Sequence, residues 1–314
     1  MLGSRNLLKK SVIGKFYIKK REKKHLLLQG RGIHCKMQDM KTNEKEPLEG
    51  NAEFHSILKY CVKHKDLDRG RRVHAQILKK GLLGKDIYVG SLLVSMYARC
   101  GDLVRAEEAF DHLPVRDVVT WTSLIAGYAQ HGYGEKALNC FQQMKCDGFS
   151  PDALTFVCIL KACGSIGAID NGHRMHAVIV NKGLDTEHFI RTTLVDMHAK
   201  CGLILEAQHL FDRLPNKDIV SRTTLLAGYA QLGDSETVFD IVRSMIIEHI
   251  TPNLVTFLSI LNVCSHGGLV NKAEAYFQAI IDVYGFVPSQ EHYTCMVDAL
   301  GRAGLIDKAI AMIR

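Results

Sequence analysis

The chain has 314 residues, of which 47% are hydrophobic and 23% charged, the make-up of a folded protein and not of a disordered one. Its formal charge of +7 is unevenly held: residues 1–36 carry 11 Lys/Arg against the single acid Glu22, leaving 29 basic and 32 acidic residues, a net of −3, in the remainder. A remainder so balanced cannot hold nucleic acid by charge alone, so any such binding must come from local basic stripes and base contacts. No run approaches 18 apolar residues, which excludes a membrane-spanning helix.

Residues 1–36 combine Leu7, Leu8, Val12, Ile13, Phe16 and Ile18 with Lys9, Lys10, Lys15, Lys19, Lys20 and Arg21. This basic, partly amphipathic and nearly acid-free stretch reads as an organelle transit peptide, although only Ser4 and Ser11 supply the usual serines. A disordered basic arm or an RNA-binding tail is the other reading of the same composition. Residues 37–50, MQDMKTNEKEPLEG, are polar and read as linker.

From Asn51 onward the apolar spacing is helical. The clearest stretch is 118–152, where Leu124, Ile125 and Tyr128 form one helical face that stops near Gly132, and Ala137, Phe141 and Met144 form a second that stops at Gly148 and Pro151. Two helices of about three turns cannot bury a core between themselves, so this unit must stack on copies of itself.

The copies are visible at a shift of 101 residues. Ala126-Gly127-Tyr128-Ala129-Gln130 recurs as Ala227-Gly228-Tyr229-Ala230-Gln231, Cys100-Gly101 as Cys201-Gly202, Phe110-Asp111 as Phe211-Asp212, Leu113-Pro114 as Leu214-Pro215, and Thr155-Phe156 as Thr256-Phe257. Within each block the turn glycines recur unevenly, Gly101 to Gly132 being 31 residues and Gly132 to Gly167 being 35, so the repeat is a triplet of unequal units.

With its words CVKHKDLDRGRRVHAQILKKG, MYARCGDLVRAEEAFDHLPVRD, MHAKCGLILEAQHLFDRLPNKD and EHYTCMVDALGRAGLIDKA, residues 51–314 resemble the plant-type pentatricopeptide repeat proteins of the subclass with alternating long, short and standard repeats (PLS). The units are 51–86 (long), 87–117 (short), 118–152 (standard), 153–187 (long), 188–218 (short), 219–253 (standard), 254–289 (long) and a partial 290–314. The resemblance implies an all-α solenoid of helix–turn–helix repeats wound into a right-handed superhelix. The last unit stops inside its second helix, leaving Ile306, Ile310 and Ile313 uncapped, so the chain reads as truncated or covered by a partner.

The resemblance further implies recognition of single-stranded organellar RNA, one base per repeat, through the fifth residue of each first helix and the last residue of the repeat. Carried over, the pairs are Ser91 with Asp117, Thr122 with Asp152, Thr192 with Asp218, and Thr223 with Asn253, with Thr294 at the fifth position of the partial unit. The first three resemble guanine pairs and the fourth an adenine pair, giving n-G-G-n-G-A-n. His55 with Asp86, Val157 with Glu187 and Leu258 with Ser289, in the long repeats, match no base. A competing reading makes the same Asp and Asn residues helix N-caps, since each precedes a first helix. Against a purely structural role stands the hydroxyl at the fifth position of Ser91, Thr122, Thr192, Thr223 and Thr294, where a helix has little use for one. The two roles can coexist.

Other chemistry is poorly represented. Cys61, Cys163 and Cys264 occupy one repeat position and Cys100 and Cys201 another, too far apart in successive coils to bridge, so they read as buried thiols. Cys158 and Cys163 form C-x4-C without a second pair at zinc spacing, and no metal or other cofactor is expected. His74 and His176 read as packing residues, and so do Trp121, Tyr97, Tyr128 and Tyr229. No H-x-E with P-C-x-x-C, no G-x-x-x-x-G-K-[ST] and no G-x-S-x-G occurs, so the chain reads as a non-catalytic adaptor. The adaptor would serve a separate processing enzyme, such as one for C-to-U editing, in a mitochondrion or chloroplast, the mitochondrion slightly favoured, with no membrane and no small-molecule substrate as partner. A peptide-binding scaffold is the rival class, disfavoured because such arrays keep a uniform period.

Overall fold

The computed structural model describes residues 51–83 and 86–313; the leader 1–36 and linker 37–50 lie outside the described residues. These hold 16 α-helices, one 3-10 turn at Leu184–Thr186, and no strand. In chain order they are α1 (Asn51–His64), α2 (Leu67–Lys79), α3 (Ile87–Cys100), α4 (Leu103–Asp111), α5 (Val118–Gln130), α6 (Gly134–Cys146), α7 (Ala153–Ile166), α8 (Ile169–Asn181), α9 (His188–Lys200), α10 (Ile204–Asp212), α11 (Ile219–Gln231), α12 (Ser235–Ile247), α13 (Leu254–His266), α14 (Val270–Asp282), α15 (Gln290–Arg302) and α16 (Ile306–Ile313). Each repeat is one pair. The turns fall where glycine permits a left-handed backbone, as at Gly132 (φ 82°) and Gly148 (φ 83°), the two stops read from the sequence.

The contacts divide the chain into two compact units after Lys217, at a repeat boundary. In the first unit the odd-numbered helices α1 to α9 pack each on the next, while each even-numbered helix packs on its own partner and, up to α8, on the following odd one. The second unit repeats this plan with α11, α13 and α15 as its continuous layer. The odd helices therefore carry most of the core: Val89, Leu93, Met96 and Tyr97 of α3, Trp121, Leu124, Ile125 and Tyr128 of α5, and Phe156, Ile159, Leu160 and Cys163 of α7 are all buried. Even helices contribute small buried residues such as Ala106, Ala137, Ala207 and Ala273, and then a larger one such as Phe110 or Phe141. Trp121 meets Phe110 edge to face with ring centroids 4.6 Å apart, under the Arg116 guanidinium. The repeated cysteines Cys61, Cys163 and Cys264 are buried free thiols, and burial pushes Cys163 up to about 12, so it is not a nucleophile.

Close approach of the odd helices depends on Gly127, where an added Cβ would stand 2.6 Å from the Ala98 Cβ and 3.2 Å from its Cα. Backbone cannot retreat as a flexible side chain can. Gly127→Ala should therefore lower stability by about 1–2 kcal/mol, overpacking outweighing the gain in helix propensity. Gly301, near the end of α15, has nothing within 4 Å of an added Cβ, and Gly301→Ala should raise stability by about 0.5–1 kcal/mol. Denaturant titration of the two variants checks the pair of opposite signs.

Candidate nucleic-acid interface

The N-terminal ends of successive odd helices lie side by side within each unit. His55, fifth in α1, meets Asp86 at the head of α3 (Nε2 to Oδ2, 3.2 Å); Thr122, fifth in α5, meets Thr155 near the head of α7 (2.7 Å); and His292 of α15 donates from Nε2 to the Leu254 carbonyl of α13 (2.9 Å). The fifth residue of one repeat is thus brought to the head of the next odd helix at His55 and at Thr122.

The repeat-final residues are N-caps. Oδ1 of Asp117 accepts from the Thr120 N–H (2.8 Å) and hydroxyl (2.9 Å), Oδ1 of Asp152 from those of Thr155 (2.8 and 2.7 Å), and Oδ1 of Asn253 from those of Thr256 (2.9 and 3.0 Å). Asp218 caps α11 through the Ser221 N–H at 2.9 Å. In Asp117, Asp152 and Asn253 every one of these bonds ends on the same oxygen, so the other terminal atom, Oδ2 or Nδ2, is left over. Capping thus occupies one terminal atom of each of these side chains and not the other.

The partner of each cap, Thr120, Thr155, Ser221 or Thr256, is completely buried and was not singled out in the sequence. Its signal is D/N-x-x-T/S, present at four repeat starts as DVVT, DALT, DIVS and NLVT; at DVVT, DALT and NLVT it closes a capping box with a hydroxyl in place of the usual Glu or Gln. Thr155 gives its proton to Asp152, so the Thr122–Thr155 bond has Thr122 as donor, and Thr122 keeps oxygen lone pairs as acceptors. Thr122 and Asp152 are in this way fixed through one buried hydroxyl.

The other fifth-position hydroxyls bond back into their own helices: Ser91 to Ile87 O (3.0 Å), Thr192 to His188 O (3.0 Å), Thr223 to Ile219 O (2.8 Å) and Thr294 to Gln290 O (3.0 Å). Each donor is satisfied locally and each oxygen is an acceptor. Ser91 and Thr223 are only 6% exposed, so they offer a narrow edge. No hydrogen bond joins Thr223 to Asn253 among the described residues, and Thr192 belongs to the first unit whereas Asp218 belongs to the second.

One further row emerges only from the structure. The second residue of successive odd helices is a large apolar side chain left in solvent: Tyr88, Val119, Leu154 and Phe189 in the first unit, Val220 and Val255 in the second, with exposures between 45% and 60%. Each stands two residues after a cap and three before a fifth residue. The sequence hides this row, because an apolar residue inside a helix reads as core. Charge is also uneven: residues 51–86 hold nine Lys/Arg against four acids, and residues 87–314 hold 18 against 24.

An array of helix pairs with an exposed apolar side chain beside a hydrogen-bonding edge at successive odd helices has the architecture of a repeat protein. Three repeat-family descriptions match: the PPR repeat family at residues 116–165, the pentatricopeptide repeat domain at 216–266, and the PPR repeat at 91–118, 189–219, 255–282 and 291–314. The chain belongs to the pentatricopeptide repeat family. Among its curated relatives from Arabidopsis thaliana are the pentatricopeptide repeat-containing protein CRR2, chloroplastic, 36% identical over 264 residues (82% of this chain, 40% of that protein), and a putative pentatricopeptide repeat-containing protein named as mitochondrial, 36% identical over 263 residues (83% and 42%). The chain spans less than half the length of the curated relatives it matches. The crystal structure of the pentatricopeptide repeat protein PPR10 in complex with an 18-nt psaJ RNA element shares the fold, with a TM-score of 0.64 at 18% identity over 85% of this chain and 40% of that one.

Proposed function

We propose that the chain is an organellar adaptor that binds single-stranded RNA sequence-specifically, as the PLS type of repeat array, and directs a separate enzyme to a processing site such as one of C-to-U editing. The observation that carries this reading is the Thr122–Thr155–Asp152 network beside the exposed Val119 and Leu154. A base inserted between the two apolar side chains would present its edge to Thr122 and to Asp152 Oδ2, both acceptors, which suits the N1 and N2 donors of guanine. By the family's pairing Asp117 and Ser91 offer two acceptors in the same way. At Thr223 the fifth-position oxygen is again an acceptor, but Asn253 offers its Nδ2 donor, the pattern of adenine's N6 donor and N1 acceptor. The mitochondrial and chloroplastic relatives support an organelle as the site of action.

Fluorescence anisotropy with a short RNA containing G-G-n-G-A, set against the same RNA with each purine changed to uridine, tests the proposal. Tight binding of the first and at least tenfold weaker binding of the second is the expected result; equal affinity would overturn it. Salt adds an independent check on residues 51–314 alone, because few phosphates can be neutralised by repeats whose excess of positive charge is confined to residues 51–86. The slope of log affinity against log salt should be no steeper than about −3, corresponding to about four phosphates.

A further inference from the structure

Comparison of the two triplets provides an internal control for a histidine cluster in the first unit. In the first triplet, Arg71 of α2 donates to Asp102 (2.9 Å), and His74 Nδ1 meets the Tyr97 hydroxyl of α3 (2.9 Å), so the joint between long and short repeats is closed by an ion pair and a neutral hydrogen bond. At the corresponding places of the second triplet stand His173 for Arg71, Leu203 for Asp102, His198 for Tyr97 and Glu206 for Arg105, while His74 is matched by His176. A phenol, neutral throughout acid and neutral pH, is thus exchanged for an imidazole, which takes up a proton within that range.

His198 Nε2 lies 3.4 Å from His176 Nδ1, and the His198 ring centroid is 5.5 Å from those of both His173 and His176. His198 is 3% exposed, and its Nδ1 has no hydrogen-bond partner. A neutral His198 can share one proton with His176 along the Nε2–Nδ1 contact and leave its own Nδ1 bare. A protonated His198 carries N–H at both nitrogens, so an Nδ1–H is stranded in the interior together with the charge. A proton on each ring sets two N–H groups against one another across the same 3.4 Å. Burial, with the neighbouring His176 and His173, accordingly pushes His198 down to about 4, and burial with His173 lowers His176.

The charges around the cluster do not offset this. Glu206 of α10 favours a proton on His198 but is exposed, and Asp185 of the 3-10 turn favours one on His176. On α9 itself Asp196 is engaged by Lys200 (2.8 Å), and α7 brings Cys163, kept neutral by burial, against Cys201.

We propose that His173, His176 and His198 make the joint between repeats 153–187 and 188–218 an acid-sensitive latch, closed while its imidazoles are neutral and released when they take up protons. The first joint holds a counterpart of this device at His74 alone. The sign follows from linkage: between the ordinary histidine pKa of 6.5 and about 4 the unfolded chain binds more protons at His198 than the folded one. Stability contributed by the closed latch is therefore complete above pH 6.5 and lost as pH falls toward 4.

The test melts the full chain at pH 7.5 and at pH 5.0 and follows the fluorescence of Trp121, the only tryptophan, which lies in the same unit. The melting temperature of the parent should fall by about 4 °C more over that range than that of His198→Tyr, which restores the His74–Tyr97 pairing with a side chain that takes up no proton. Should His198→Tyr not fold, His198→Gln, neutral at both pH values, serves in its place with the same expected difference. Amide exchange at pH 5.0, corrected for its intrinsic pH dependence, should accelerate first in α8, α9 and α10 of the parent. Melting temperatures that fall in parallel in parent and variant, or acid-induced exchange that begins outside those three helices, would overturn the proposal.

Discussion

Asn253→Asp should change the preferred base at a single RNA position from A to G by about 1–3 kcal/mol, roughly a factor of 5 to 150, while leaving the melting temperature almost unchanged. The Thr256 N–H can only donate, so the atom of Asn253 that receives it at 2.9 Å is the carbonyl oxygen, and the amide nitrogen is the atom left over. Replacing Asn by Asp keeps the capping oxygen and turns the remaining atom from donor to acceptor. As N-caps the two residues are nearly equivalent, which is why stability should not follow specificity. Affinities for a pair of RNAs differing only at that base, with thermal melts of both proteins, separate the effects. An unchanged preference with unchanged stability would reduce Asn253 to a cap.

Glu248→Ala should destabilise the second unit by about 1–3 kcal/mol. Arg222 of α11 occupies the place that Trp121 holds 101 residues earlier, with its side chain only 7% exposed. It is bonded there to Glu248 and to the Ser244 hydroxyl at 3.1 Å. Removing one partner of a fully buried pair costs about 3–5 kcal/mol because a charge is stranded; here Glu248 is 49% exposed, so water takes over part of its role and the cost is smaller. Arg222→Trp, which copies the first triplet, should recover part of the loss in the Glu248→Ala background. Urea denaturation of the single and double variants measures both, and a Glu248→Ala protein as stable as the parent would show that the ion pair contributes nothing.

The helix pairs and their turns were legible in the sequence because each rests on local chemistry: apolar spacing of 3.6, Gly132 and Gly148 with left-handed φ, and Asp117, Asp152, Asp218 and Asn253 as caps. The candidate site was legible in part. Fifth and final residues were found from the resemblance, but their connection through Thr155 depends on a contact 33 residues distant, which no local pattern reports. Nor does hydrophobicity distinguish Leu154, in solvent, from Phe156, in the core two residues later. The division after Lys217 leaves no mark in the sequence, since the 101-residue repeat runs through it unbroken. His176 read as a packing residue, as its counterpart His74 did; that it meets His198 where the earlier triplet has Tyr97 is a contact between helices that no local pattern reports.

Selection of bound sequences from a random RNA pool by the full chain, followed by the same selection with Asn253→Asp, bears most directly on recognition through the cap row. The expected outcome is enrichment of a G-G-n-G-A core by the parent and of G-G-n-G-G by the variant, in the same register. Enrichment of no common core, or of one core shared by both proteins, would contradict it.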